Sequence, residues 1–304
     1  MGNLTDSDEY AHTPNEKPDW RESYYFNWVD LSAGISGFST IGLLPNTSKR
    51  EFVFALFYNG EREVYFVEPV CVVSEDFHEA LSDGVLSYEL VEPFKEWKIH
   101  YEGKKLQADI RWIGRFPAYD FGRGSGTSWA GHFEQSGVPR GKIEFLDGKV
   151  IEFNGLGERD KSWGSRDWHI ESWYALHAQF DTVSIGLRLD TVNGEFHPSG
   201  GISTADSHVP ISKVELETIY HDEKPSFPFG ALTKVYGEDG SCYTLKSSLI
   251  SETSFVRFAR EFPSGTTELF EEMAVHECKE LGTQGTGLIE WLFTHKKNEK
   301  PKGL

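Results

Sequence analysis

The stretch GERDKSWGSRDWHIESWY, residues 157–174, decides how this chain folds. It sets two Arg-Asp dipeptides, Arg159-Asp160 and Arg166-Asp167, around Trp163-Gly164, which reads as a turn signal, and then enters a run of aromatic and β-favouring residues. Ions seldom sit among tryptophans unless they are paired, because desolvating a lone charge is costly or moves its pKa instead. The segment is therefore expected to be either a structural girdle or the wall of an active cavity. If the chain is extended after Arg166, then Asp167, His169, Glu171 and Trp173 point one way, and Arg166, Trp168, Ile170 and Ser172 the other. The first face suits acid-base catalysis: an aromatic wall raises one carboxyl pKa and a nearby guanidinium lowers another. The competing structural reading is an ion-paired seam in which Arg159 and Arg166 lock Asp160 and Asp167 in forked hydrogen bonds.

Outward from this stretch the dominant signal is strand. Segments at 23–29, 51–58, 63–73, 95–101, 106–113, 141–145, 150–153, 173–180, 183–189, 213–220, 231–236 and 253–262 alternate polar and apolar residues or are rich in β-branched and aromatic ones. Asn59-Gly60, Asp147-Gly148, Asn193-Gly194 and Asp239-Gly240 punctuate them with the dipeptides that two-residue hairpins prefer. Helical periodicity is weak, the best candidate being a turn near residues 75–81. An all-β fold of antiparallel barrels follows. Glu22-Ser23-Tyr24-Tyr25 recurs as Glu171-Ser172-Trp173-Tyr174, each followed by Ile-Gly-Leu, at Ile41-Gly42-Leu43 and Ile185-Gly186-Leu187. A second echo aligns GTSWAGHFEQ from Gly126 with GTQGTGLIEW from Gly282. Two β-barrels related by internal duplication are expected: the first over residues 19–155, the second over 156–295, with frayed segments at 1–18 and 296–304.

Composition narrows the function. With 48 acidic and 30 basic residues the net charge is −18, which opposes a phosphate backbone, so nucleic acid is not an expected partner. No apolar run is long enough for a transmembrane segment, and the polar N-terminus lacks a signal-peptide core, so a cytoplasmic location is expected. Cys71, Cys242 and Cys278 are widely spaced and form no CxxC pair, and are expected to be buried, reduced and inert. Asn3-Leu4-Thr5 and Asn46-Thr47-Ser48 match the glycosylation pattern, which carries no weight without secretion. Oligomeric state is left open, a homodimer included.

Within Gly131-His132-Phe133-Glu134-Gln135, His132 and Glu134 stand two apart and share a face of a strand. The pair suits an acid, a base or a substrate anchor; no second His pair completes a metal shell, so no metal is expected. Neither a phosphate loop nor a GxSxG elbow occurs. Gly122-Arg123-Gly124-Ser125-Gly126 reads as a flexible loop that borders the cavity mouth.

ESYYFNW at residues 22–28, GHFEQSG at 131–137, GLGERDKSWGSRDW at 155–168 and GTGLIEW at 285–291 resemble the AttH-like and carotenoid 1,2-hydratase-like group of lipocalin-related double β-barrels. The RDxSWGxRDW element is its specific part. The resemblance implies two calycin-type barrels and a pocket for a hydrophobic small molecule; its members include hydratases of carotenoid double bonds and cyclases or isomerases of polyene and terpenoid-like substrates. Glu158 and Lys161 stand where such relatives often carry His, which puts any proton transfer by those imidazoles in doubt here.

The expected activity is a cofactor-independent lyase, hydratase or isomerase. Asp160 or Asp167 would supply the proton, Arg159 and Arg166 would fix the carboxylates, and His132 with Glu134 would orient water or a polar substrate group. Trp129, Trp163, Trp168 and Trp173, with His169 and Tyr24, would line the substrate site and stabilise cationic charge. Two alternatives stand beside it: a lipocalin-like protein that binds an apolar metabolite unchanged, and a glycosidase using paired carboxylates.

Overall fold

In the computed structural model, which describes residues 4–121, 129–166, 168, 170–221 and 224–297, the chain is strand almost throughout. It divides into two units, residues 1–166 and 167–304. The first unit holds β1 (Trp20–Asp30), β2 (Ile35–Leu44), β3 (Lys49–Tyr58), β4 (Glu61–Val67), a single helical turn α1 (Phe77–Ala80), β5 (Leu86–Glu92), β6 (Glu96–Glu102), β7 (Leu106–Gly114), β8 (Tyr119–Asp120), β9 (Gly131–Phe145), β10 (Val150–Asn154) and β11 (Gly157–Ser165). These pair in the order β4-β3-β2-β1-β11-β9-β7-β6-β5, with β8 and β10 added on β9. The sheet curls around a core rich in rings: Trp28, Trp97 and Trp112 are each fully buried among Tyr24, Phe26, Phe52, Phe54 and Tyr88.

The second unit holds β12 (Ser172–Gln179), β13 (Ser184–Val192), β14 (Glu195–Ser203), β15 (His208–His221), β16 (Lys224–Gly237), β17 (Cys242–Leu249), β18 (Phe255–Phe262), β19 (Gly265–Cys278) and β20 (Thr283–Lys296). Here the path β17-β16-β15-β14-β13-β12-β20-β19 closes on itself through a β17–β19 pairing, giving an eight-stranded barrel with β18 outside the ring. Its core is lighter and more aliphatic, built on residues such as Leu176, Ile185, Leu187, Val235, Leu245 and Ile289. The all-β architecture read from the sequence is thus present, closed in the second unit and left as an open curl in the first.

All four turn dipeptides sit between paired strands. Asn59 and Gly60 both take positive φ, 49° and 78°, as do Asn193 and Gly194 at 53° and 75°, the backbone that matches strand twist in a tight hairpin. The first echo falls on equivalent strands, Glu22 to Tyr25 in β1 beside β2, and Ser172 to Tyr174 in β12 beside β13. The second is offset by one place: β9 is two strands from β1, whereas β20 is the immediate neighbour of β12.

Several expectations are corrected. Trp163-Gly164 is not a turn but lies inside β11, which pairs with β1 and β9 and so carries the first unit past the expected boundary at residue 155 to residue 166. The N-terminal segment is not frayed over its described part: Glu9 and His12 are drawn onto the first sheet by buried charges there, as set out below. At the other end β20 runs to Lys296, and the remainder of the expected frayed tail, residues 298–304, lies outside the described residues, as does the glycine-rich run of 122–126. Of the cysteines only Cys278 is buried; Cys71 and Cys242 are half-buried, and all three are free thiols.

Candidate functional site

Strand alternation splits the decisive stretch between two faces of the first sheet. Arg159, Lys161 and Trp163 of β11 share one face with Glu22 and Tyr24 of β1 and with Phe133 and Gln135 of β9, their cross-strand neighbours. This is the concave, core-facing side. Two buried cations there are matched by carboxylates. The Lys161 ammonium, fully buried, pairs with Glu22 and lies 4.5 Å from the Tyr24 ring and 5.1 Å from that of Trp163. His12 completes the group: its backbone N–H donates to Glu22 at 2.9 Å and its ring stacks on Trp163 at 3.9 Å. Burial raises the Glu22 carboxyl pKa, but Lys161 and His12 outweigh that and hold it below the ordinary value. Tyr24 is pushed the other way, by burial and then by the charges of Glu22 and Glu9.

Arg159 makes the second pair. Its Nη1 and Nη2 donate to the two oxygens of Glu9 at 2.8 and 2.5 Å, and its Nε and Nη2 to Gln135 Oε1 at 3.0 and 2.9 Å. Gln135 is itself fixed, its amide donating to the carbonyls of Phe94 and Phe116. Rings of Phe94, Trp112 and Phe133 stand 5.0–5.9 Å from the guanidinium. The forked bond expected between Arg159 and Asp160 is therefore made to Glu9 instead, because adjacent residues on a strand face opposite ways.

The other face of the same strands carries most of the remaining predicted residues. Asp160 stands directly opposite Glu134 on β9 and opposite Tyr25 on β1. His132 Nε2 lies 3.5 Å from Glu134 Oε1, and both side chains are nearly closed to solvent. Arg166 Nη2 donates to Ser162 Oγ at 2.6 Å, and Ser162 is the cross-strand neighbour of His132. The rings of Phe121 and Trp129 lie 4.5 and 4.8 Å from His132. Two carboxylates and an imidazole thus share one strand face, with aromatic rings beside the imidazole and a guanidinium bonded to the neighbouring Ser162, groups of the kind that can hold and pass a proton.

The rest of the predicted wall is elsewhere. Trp168 and Trp173 belong to the second unit, 5.9 Å apart, with the Arg188 guanidinium 3.8 Å above Trp173 and that of Arg260 5.2 Å from Trp168. The strand there begins only at Ser172, and Glu171 is exposed and accepts from Gly194 N–H, so the continuous alternation expected from Arg166 onward is not formed among the described residues. Asp167 and His169 lie outside the described residues. A groove of about 840 Å³ crosses β5, β6, β7, β9 and β10, but it is lined by groups such as Lys98, His100, Asp109 and Arg111 and contains none of the predicted residues. Among the described residues no cluster of three or more His, Cys, Asp or Glu is placed to hold a metal ion, and no helix is long and apolar enough to cross a membrane.

Sequence inspection missed the partners of the buried cations, Glu9, His12, Glu22 and Gln135. It also missed a polar group inside the second barrel. There Tyr174 bonds Thr233 Oγ1 at 2.9 Å and His276 Nδ1 bonds Ser247 Oγ at 2.8 Å. Glu272 is fully buried on the same side of β19 as His276, and the nearby Trp291 N–H makes no hydrogen bond of normal geometry to it. Burial pushes Glu272 well above the carboxylate range and His276 down to about 3.

These two β units, one a closed barrel and one a curled half-barrel, give the chain a lipocalin-like fold of the AttH-like kind. It belongs to the family described as a domain of unknown function, DUF7064, whose model matches residues 5–295. Among solved structures it is similar to an AttH-like protein from Nitrosomonas europaea, at 14% identity and a TM-score of 0.69 over 96% of both chains. It is also similar to kievitone hydratase from Nectria haematococca, at 11% identity and a TM-score of 0.62, over 95% of this chain and 94% of that one. A third likeness is to CghA in its structure with Sch210972, at 9% identity and a TM-score of 0.64, over 93% and 90%. No curated protein matches the chain. The AttH-like fold suggested by RDxSWGxRDW is therefore the fold of this protein.

Proposed function

We propose that the protein is a cofactor-independent hydratase or isomerase of a hydrophobic small molecule, working by acid-base chemistry on the Asp160, Glu134 and His132 face of the first sheet. The observation that carries this reading is the placement of Asp160 directly across from Glu134, with His132 3.5 Å from that second carboxylate and rings of Phe121 and Trp129 around the imidazole. Like charges directly opposite on neighbouring strands repel, so the pair favours a shared proton or a nearby cation, and His132 and Arg166 are placed to supply either.

In a hydration, a proton held on the Asp160 and Glu134 pair passes to one carbon of a double bond, and cationic charge develops on the other. Faces of Phe121, Trp129 and Tyr25 stabilise that charge. Water adds to the cationic carbon and returns its proton to a carboxylate with the help of His132, which closes the cycle without a cofactor. In an isomerisation, loss of a neighbouring proton replaces the addition of water. A positioned general acid contributes about 10²- to 10⁴-fold, so orientation in the aromatic surround must supply much of the remainder. The likeness in fold to kievitone hydratase supports this class and makes kievitone the first compound to assay.

The test is incubation of the protein with kievitone, and with compounds captured from metabolite extracts and identified by native mass spectrometry, in D₂O. A captured compound is expected to emerge altered and deuterium-labelled, and Glu134→Gln is expected to lower kcat about 10²- to 10⁴-fold while the melting temperature holds. A Glu134→Gln protein that turns over at the wild-type rate removes the assignment, and release of every captured compound unchanged makes the protein a binder.

A further inference from the structure

On the opposite, concave face of β11, Glu9 fills a site that the sheet has already built. Three donors converge on its carboxylate: Arg159 Nη1 at 2.8 Å, Arg159 Nη2 at 2.5 Å and the Phe94 backbone N–H at 2.6 Å. None of these belongs to the segment that supplies Glu9. The guanidinium is clamped by Gln135, and Gln135 by two carbonyls, so the cradle keeps its geometry independently of its occupant. A planar fork with a third N–H is the arrangement that recognises a carboxylate.

The segment that inserts Glu9 has no strand pairing to hold it and rests on side-chain and single backbone contacts. It is a four-residue 3-10 turn, Asp6–Glu9, with Asp6 and Ser7 exposed, and such short turns have little stability of their own. Beyond Glu9, the segment is held by the His12 N–H bond to Glu22 and the His12 stack on Trp163, a contact of Tyr10 with Phe77 at 4.9 Å, Asn15 donating to Ser165 Oγ at 3.1 Å, and Asn46 donating to the carbonyls of Asn15 and Lys17. Beneath it lies an aromatic lip: Phe77 is 5.9 Å from Tyr24 and 6.2 Å from Trp97.

We propose that the Arg159 cradle is a binding site for an apolar carboxylic acid, and that Glu9 occupies it as an internal stand-in on a displaceable N-terminal strap. The acid's carboxylate replaces that of Glu9 on Arg159 and Phe94 N–H, and its hydrocarbon tail replaces the strap over Phe77 and Tyr24. A group tethered by a short flexible linker competes at an effective concentration of the order of millimolar, so the strap excludes short or weakly bound acids and yields to those whose tails bury enough surface. This site is separate from the proton-handling face and stands or falls independently of the proposed activity.

The test uses the full chain and two fluorescent probes, cis-parinaric acid and its methyl ester. Glu9→Ala is expected to bind the acid roughly tenfold tighter or better than the wild type, since the competing occupant is gone. The ester is expected to gain nothing, and Arg159→Met on the Glu9→Ala background to abolish the gain. A folded Glu9→Ala protein with wild-type affinity for the acid overturns the proposal, as does an equal gain for the ester. Should Glu9→Ala fail to fold, hydrogen exchange in the wild-type protein decides. Faster exchange of residues 6–12 at saturating acid, but not ester, supports displacement of the strap, and unchanged exchange overturns it.

Discussion

At the scale of single residues, the concave face of β11 depends on matched burial of opposite charges. Lys161 and Glu22 are each almost wholly removed from solvent, and neither would tolerate loss of the other. Taking one member from a buried pair leaves an unpaired ion, at a cost of roughly 3–5 kcal/mol, whereas replacing both with apolar groups of similar volume is often neutral. Glu22→Gln is therefore expected to destabilise the protein by about that amount, and Glu22→Leu with Lys161→Met to restore most of it, as read by urea unfolding. Equal losses in the single and double variants would refute the pairing. The structure brings an imidazole close to this pair, with His12 stacked on the Trp163 ring that the Lys161 ammonium also faces. That contact was invisible in the sequence because His12 lies about 150 positions away in a polar stretch with no periodicity.

At the scale of elements, close approach explains what the turn reading of Trp163-Gly164 missed. The Trp163 indole lies flat across Gly131 on the neighbouring strand, where a β-carbon would fall 2.2 Å from the ring, and Gly164 passes so near Ala130 that its own β-carbon would fall 2.3 Å from that backbone. The glycines are there to let strands and an indole touch, not to turn the chain. Gly131→Val should displace Trp163, break the His12 stack and cost about 1–3 kcal/mol, visible as a changed near-ultraviolet tryptophan signal and a lower unfolding midpoint. An unaltered signal would show that the ring has room to spare. Hairpins were legible because Asn-Gly and Asp-Gly report backbone geometry directly. Strands such as β14, with Pro198 and two adjacent glycines, and β19, with Glu268, Glu271, Glu272 and Glu277, were not, because their pairing is imposed by barrel closure rather than by local propensity. The candidate site was half legible. His132, Glu134, Asp160 and Arg166 do gather, but the sequence could not tell that Arg159 turns away, since that depends on which face of β11 the core claims.

At the scale of the whole molecule, the second barrel titrates its own stability from within. Unfolded Glu272 ionises near its ordinary value of 4.5, while the buried carboxyl resists, so stability that is complete below that pH is lost as pH rises above it. His276 acts in the opposite sense: its unfolded ring protonates near 6.5 and its buried ring only at about 3, so stability present above 6.5 is lost as pH falls toward 3. Glu272→Gln should therefore stabilise the protein at pH 8 and leave it nearly unchanged at pH 4, each relieved pKa unit being worth about 1.4 kcal/mol, as measured by urea unfolding at both values. A gain at pH 4 that matches the gain at pH 8 would mean that the carboxyl is not held neutral. The open curl of the first sheet carries a liability of a different kind. Its pairing path stops at β4 and β5, and on β4 Val64 and Phe66 stand 40% and 48% exposed beside the exposed Glu61 and Arg62. Unsatisfied strand rims invite other molecules to stitch on, and charge is the usual deterrent. In this strongly anionic chain that deterrent is erasable: Glu61→Val, which takes charge off the rim, should bring turbidity and fibrillar stacking while the fold itself still stands.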